Sequence, residues 1–444
     1  MRLSTLQSLM RNKGCRTMYS KVLAANDNRK QQVYFGGDFQ AINIIPFDSI
    51  APDPDKPHIF KALLNFWWLS DDGSVHHAPR AQLILYPQYP EVRFSGFLQG
   101  CSAAPSELMD ERLRLAGRIL FLGICPDGKI IGYLCHQDSE LAREFALLDE
   151  LPRSGVFQEP GLDISSIDER SLLVEKLREI HLRGWIRSRK LGRNGVTLPC
   201  EAPNCGGMTL EAELDILPNS RSEPDYLGYE VKQYAVSNFQ RVNSGVLTLM
   251  TPEPTGGYYG SAGIEAFIRK FGYPDMTGKS DREDRFNVGG IHKVGEYHRL
   301  TNLQIVLKGF DSATGKIIDA TGGISLMNRE GEEAAVWGYD ALMTKWNRKH
   351  NKAVYIPSQC VQSPERKYWY GNLIRIGTGT DFIKYLQAMA EGKVYYDPGI
   401  KLENASSRPR TKQRSQFRIK SVNLPALYHR MDSVDLLNGQ AASS

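Results

Sequence analysis

Residues 222 to 234 read SEPDYLGYEVKQY. From Tyr226 to Tyr234 the segment has the aromatic and β-branched content of a strand, and in a strand alternate side chains share a face. Glu230 and Lys232 therefore project to the same side, roughly 6 to 7 Å apart along the backbone. Asp225 stands five residues before Glu230, an odd spacing that puts it on the other face of an unbroken strand. A bend between them is required if the two carboxylates are to meet, and Gly228 is where the backbone supplies one most cheaply. Two other Glu-x-Lys triplets serve as internal controls, Glu365-Arg366-Lys367 and Glu391-Gly392-Lys393. Five residues before them stand Cys360 and Leu386, neither acidic.

Two carboxylates and a lysine on one face are the parts that phosphodiester hydrolysis needs. The reaction calls for a hard cation to neutralise developing charge, an activated water, and a group to hold that water in line. Asp225 and Glu230 are the candidate magnesium ligands, and Lys232 the residue that holds the water and helps it shed a proton. Glu211, in the preceding helical stretch TLEAEL (209 to 214), is a candidate further ligand or a partner that fixes the metal geometry. The competing reading is an exposed strand with solvated charges.

Working outward, a chain of 444 residues with 41% hydrophobic content has material for two or three packed domains. Its net charge of +5 is too small to identify a partner by itself. Seven scattered cysteines are not a secreted disulfide framework, so a reducing cytoplasm is expected and Cys200 and Cys205 are read as free thiols. No apolar run approaches the roughly 20 residues that cross a bilayer, so no membrane partner is expected. The first thirty residues carry seven basic side chains against Asp27, which reads either as a transit peptide or, preferably, as a basic, partly frayed arm.

From about Gln32 to Cys135 short β-rich runs alternate with turns, the pattern of a mainly β module, with Trp67 and Trp68 in its core. The Pro- and Gly-bearing stretch PRSGVFQEPG (152 to 161) reads as a joint, separating a domain at 1–155 from one at 166–444. Ser166 with Glu169 forms a capping-box signature, and Leu173, Leu177 and Ile180 continue it as a helix of about 16 residues. LQIVLKGF, KAVYIP and TDFIKYLQAMAEG then predict a mixed α/β domain. No Gly-Lys-Ser/Thr phosphate loop is present, so nucleotide hydrolysis is not expected. His292 and His298, in GGIHKVGEYHRL, are weaker candidates for DNA or metal contact; packing is the commoner role of such histidines.

From about Ser166 to Leu437 the chain resembles the MvaI/BcnI type of restriction endonuclease, a branch of the PD-(D/E)xK fold related to the nicking enzyme MutH. The resemblance is carried by TLEAEL, PDYLGYEVKQY, LTLMTPEP (247 to 254), WGYDAL, KHNKAVYIP and QRSQFRIK (413 to 420). It implies a restriction-endonuclease-like α/β domain whose helix glutamate, aspartate and Glu-x-Lys fall on Glu211, Asp225, Glu230 and Lys232. It also implies Mg2+-dependent cleavage of double-stranded DNA by a monomer, with 5′-phosphate and 3′-hydroxyl ends. The basic run from Lys401 to Lys420 supplies candidate DNA contacts, Lys401, Arg414, Arg418 and Lys420, with Arg418 in the segment that matches the family's DNA-reading lobe.

The first module, opening YSKVLAANDNRKQQVYFGG, is similar to the B3-like pseudobarrel of EcoRII-type enzymes. Its fusion to an MvaI-like nuclease, as in UbaLAI-type enzymes, implies binding of a second, effector copy of the site. Enzymes resembling each half read CC(A/T)GG, while others of the MvaI/BcnI type read CC(C/G)GG. A MutH-like nicking enzyme and a DNA-binding regulator without cleavage stay open as alternatives.

Overall fold

The computed structural model describes residues 1–25, 31–110, 115–148, 150–162, 168–202, 204–218, 224–438 and 441–442. The chain divides into two compact units, Met1–Ile167 and Asp168–Ser444.

In the first unit the strands fall into two sheets. One runs in the order Arg153–Ser154, Phe157–Gln158, Thr17–Val22, Ile119–Ile124, Ile130–Cys135, Phe66–Leu69, Val75–His77. The other has five strands, Val33–Tyr34, Glu91–Ser95, Gln82–Tyr86, Phe60–Leu63 and Ile50–Pro52. Aromatic rings join the two: Phe94 of the second sheet lies 5.0 Å from Phe66 of the first and 5.2 Å from Phe35. Such ring pairs carry a large share of a small β core.

Three expectations change here. The first residues are not a frayed arm: Leu6 and Met10, one helical turn apart in the helix Leu3–Asn12, are buried with Met18 and Phe121. Thr17–Val22 then pairs along its length with Ile119–Ile124. The stretch at 152 to 161 is not a free joint either, because Phe157 is buried against Phe35 and Tyr19, and Gln158 pairs with Ser20. Of the two tryptophans, Trp68 is core and donates Nε1–H to Phe97 O at 2.6 Å. Trp67, on the opposite face of the strand, is only partly buried: it packs at the edge of the cluster that holds Leu69 and Ile131, with Lys129 Nζ 4.4 Å above its ring.

The second unit is built on a mixed sheet, Ile186–Arg187, Lys367–Tyr370, Lys352–Val361, Leu373–Thr380, Tyr428–Asp435 and Ala441–Ala442, with Glu230–Ala235 added in parallel to Lys352–Val361. Lys352–Val361 is central and covered on both faces, which is why it reads as an unbroken apolar run rather than an alternating one. The helices Glu169–Leu182 and Cys205–Glu213 pack on this sheet through Leu173, Leu177, Ile180 and Leu210 against Val231, Val354, Ile356 and Ile376. Ser166 lies outside the described residues; the helix that follows is capped by Asp168, which accepts from Arg170 N–H at 3.1 Å. Among the described residues no helix is long and apolar enough to cross a membrane.

The helix that carries Glu211 is fixed at several points. Cys200 and Cys205 are disulfide-bonded, Cα atoms 5.8 Å apart, which overturns their reading as free thiols and removes the cysteine argument for a reducing compartment. A gap of five residues across a turn into a helix is enough to bring the two together. Tyr370 Oη–H donates to Gly206 O at 2.7 Å, and Thr209 Oγ1 bonds both the N–H and the carbonyl of Arg189. At the far end the buried Glu213 carboxylate accepts from Arg183 Nη1 at 2.6 Å and Arg189 Nε at 2.8 Å. Replacing Glu213 by Gln should lower stability by roughly 1.5 to 3 kcal/mol, the range for losing hydrogen bonds to a charged group. Urea unfolding of the two proteins measures it, and equal midpoints would mean that the two arginines do not anchor this helix.

Candidate functional site

The strand Glu230–Ala235 is entered through a tight turn. Tyr226 N–H donates to Tyr229 O at 3.0 Å and Tyr229 N–H to Tyr226 O at 2.8 Å. The two residues between them, Leu227 and Gly228, have φ of 45° and 74°. Two successive left-handed residues are the geometry of a reversing two-residue hairpin, natural for glycine and costly for leucine. The reversal brings Asp225 back to the start of the strand, where its Oδ2 accepts from Val231 N–H at 3.1 Å. The odd spacing in sequence is thereby cancelled.

Asp225 and Glu230 lie close enough to feel each other strongly. Burial, and then the charge of Glu230, push the Asp225 carboxyl up from 3.8 to about 6. Burial, and then the charge of Asp225, also raise Glu211, with Lys232 and Lys349 opposing. Glu230 is fully buried, and its Oε1 accepts from Lys232 Nζ–H at 2.6 Å. Its other oxygen, Oε2, is buried with no amide, hydroxyl or ammonium donor. By contrast the control triplet Glu391–Lys393 forms an ordinary exposed pair at 2.6 Å. The structure thus brings Glu211, Asp225, Glu230 and Lys232 into one electrostatic cluster with more carboxylates than cations.

That surplus suits a divalent cation. Among the described residues no three His, Cys, Asp or Glu side chains converge as a ready cage. Magnesium does not ask for one, since it is commonly held by one or two carboxylates while waters and substrate phosphates complete the octahedron. Asp225 and Glu230 are the pair it would use.

The basic run does not form one patch. Lys401 lies on Gly399–Glu403 in a sheet with Arg285–Gly289 and Arg410–Lys412, and burial and Arg285 lower its pKa. Arg418 and Lys420 lie on Phe417–Lys420 in a different sheet, between Val246–Met250 and Val394–Tyr396. Arg418 Nη1–H donates to Asp397 Oδ2 at 2.6 Å, Lys420 is exposed at the strand end, and Arg414 is exposed with its side chain over Gly399. The rings of His292 and His298 lie tilted to one another with centroids 4.5 Å apart and share Thr301 Oγ1. Burial holds His292 neutral, its pKa near 3, so this pair is a packed hydrogen-bonded unit.

Residues 174–428, more than half of the chain, match the MvaI/BcnI restriction endonuclease family. The chain belongs to this family. Among solved structures it is similar to restriction endonuclease MvaI in a complex with cognate DNA substrate, at 17% identity and a TM-score of 0.43, over 61% of this chain and 99% of that one. It is also similar to MvaI in the absence of DNA, at 15% identity and a TM-score of 0.34, over 61% and 100%. A third is the B3 domain of UbaLAI restriction endonuclease with cognate DNA, at 19% identity and a TM-score of 0.22, over 35% and 96%. No curated protein matches this chain.

Sequence reasoning passed over Lys349, whose Nζ lies 3.7 Å from Glu230 Oε1. It stands far from Lys232 in the chain, and only the parallel pairing of Glu230 with Ala353 carries it to the site.

The titration of Asp225 has a readable sign. The folded carboxyl keeps its proton up to about pH 6 whereas an unfolded aspartic acid loses it near 3.8, so its contribution favours the fold below pH 4 and is lost as pH rises through 6. In chelator, Asp225→Asn should therefore gain stability relative to the unaltered protein between pH 4 and 7. A stability difference that stays constant over that window would contradict the desolvated carboxylate pair.

Proposed function

We propose that the chain is a magnesium-dependent, sequence-specific endonuclease of double-stranded DNA that acts as a monomer and leaves 5′-phosphate and 3′-hydroxyl ends. The observation that carries the reading is the Asp225 and Glu230 pair, desolvated side by side with Lys232 on one oxygen of Glu230. The mixed sheet with helices packed on it supports a PD-(D/E)xK nuclease fold for the second unit, and family membership supports DNA as the substrate.

When bound, magnesium would neutralise charge on the scissile phosphate and lower the pKa of a water. Asp225 and Glu230 would hold it. Lys232 Nζ, half-buried at the mouth of the site, would donate a hydrogen bond to the attacking water and keep it in line. Glu211 completes the carboxylate set from its pinned helix. Arg418 is proposed to read a guanine edge, with Arg414, Lys401 and Lys420 contacting the duplex around it.

The first unit is proposed to be a B3-like domain that binds an effector copy of the site, making the enzyme type IIE with CC(A/T)GG as its leading sequence. Two tests follow. Asp225→Ala and Lys232→Ala should each abolish plasmid cleavage in Mg2+ while leaving DNA binding in Ca2+ largely intact, since calcium suits the same oxygens at longer distances. Full cleavage by either variant would refute the site, nicked circles from the unaltered protein would point to a nicking enzyme, and intact plasmid to a regulator. Separately, a short duplex carrying the site should change cleavage of a one-site plasmid by the full-length protein. The expected coupling is about 1 to 3 kcal/mol between the two DNA sites. Plain competition by the duplex would reduce the first unit to an anchor or scaffold.

A further inference from the structure

Lys349 takes no part in the scheme above, yet its charge is felt by Asp225 and Glu211 and its Nζ pairs with Glu230. It sits in the last turn of the helix Tyr339–His350, just before Lys352–Val361 begins its parallel pairing with the Glu230 strand. The fold therefore fixes the base of this side chain beside the carboxylates.

The helix end is held independently of the lysine. His350, the next residue, is fully buried and stacked on Trp346 at 4.2 Å. Its ring stays neutral down to about pH 3, through burial and then the charges of Lys232 and Lys349, so it adds no third cation. The lysine side chain itself is half-exposed. At 3.7 Å its contact with Glu230 is an ion pair without a hydrogen bond, whereas Lys232 at 2.6 Å holds the same oxygen firmly. A flexible stem with a loosely held point charge is able to move to another anion at little cost.

Charge matching says which anion. In the metal-free site two ammonium groups, those of Lys232 and Lys349, lie against Glu230. Once a divalent cation is held there, the carboxylates of Glu211, Asp225 and Glu230 are matched by the metal and Lys232 alone, and the charge of Lys349 is left over. The incoming partner carries one negative charge per phosphate.

We propose that Lys349 is a second phosphate-contacting cation of the nuclease centre: it balances the carboxylates in the free protein and transfers to a phosphate oxygen of the bound strand when a divalent cation replaces it. The proposal rests on the metal-site reading of Asp225 and Glu230, and the test keeps the two apart.

Full-length Lys349→Gln is compared with the unaltered protein in three measurements. Calorimetric titration of Ca2+ without DNA should show tighter binding, because a competing cation is gone. DNA binding in Ca2+, followed against salt, should lose about one unit of slope in log K against log salt. Cleavage in Mg2+ should slow on the order of 100-fold, with Lys349→Arg restoring part of it. Unchanged calcium affinity together with an unchanged salt slope would overturn the role of Lys349. Asp225→Ala, titrated in parallel, should lose calcium binding; if it binds calcium as before, the metal-site reading itself fails, whatever Lys349→Gln does.

Discussion

Two carboxyl groups placed side by side and out of water repel one another, and the fold around residues 225 to 232 holds them there regardless. The cost appears as the raised pKa of Asp225 and of Glu211. Several features elsewhere exist to sustain it. The left-handed turn at Leu227 and Gly228 folds Asp225 back, and Val231 N–H fixes its carboxylate. The parallel partner Lys352–Val361 supports the strand on a doubly covered sheet, and the helix of Glu211 is pinned by the Cys200–Cys205 bond, Tyr370 and the Glu213 ion pairs. Unfavourable electrostatics maintained by this much surrounding structure is typical of a site that awaits a cation.

What could be read from the sequence depended on how local the physics is. The shared face of Glu230 and Lys232 follows from strand geometry alone, and the bend at Gly228 follows from the odd spacing of Asp225. Lys349 could not be found that way, because its position depends on a parallel pairing between strands more than a hundred residues apart in the chain, and nothing in the composition of KHNKAVYIP announces it. The disulfide was missed because compartment arguments outweighed the short gap between Cys200 and Cys205. The N-terminal helix was hidden by its basic residues: Leu6 and Met10 at i and i+4 were a legible signal, but charge dominated the reading.

The basic C-terminal run shows the opposite error. In the sequence Lys401 to Lys420 reads as one cluster, but a strand turns its chain every few residues, and the structure distributes these side chains over two sheets. Arg418 is tied to Asp397, which fixes the direction of its guanidinium before any partner arrives. A pre-oriented arginine loses less freedom on binding than the exposed Arg414 or Lys420.

The central claim is that Asp225 and Glu230 form a cation site, and locating the ion tests it most directly. Anomalous diffraction from crystals of the DNA-free protein grown with Mn2+ should place a peak between these two carboxylates, with a Glu230 oxygen among its ligands. Mn2+ bound elsewhere in the molecule, with the Asp225 and Glu230 pair left bare, would contradict the account.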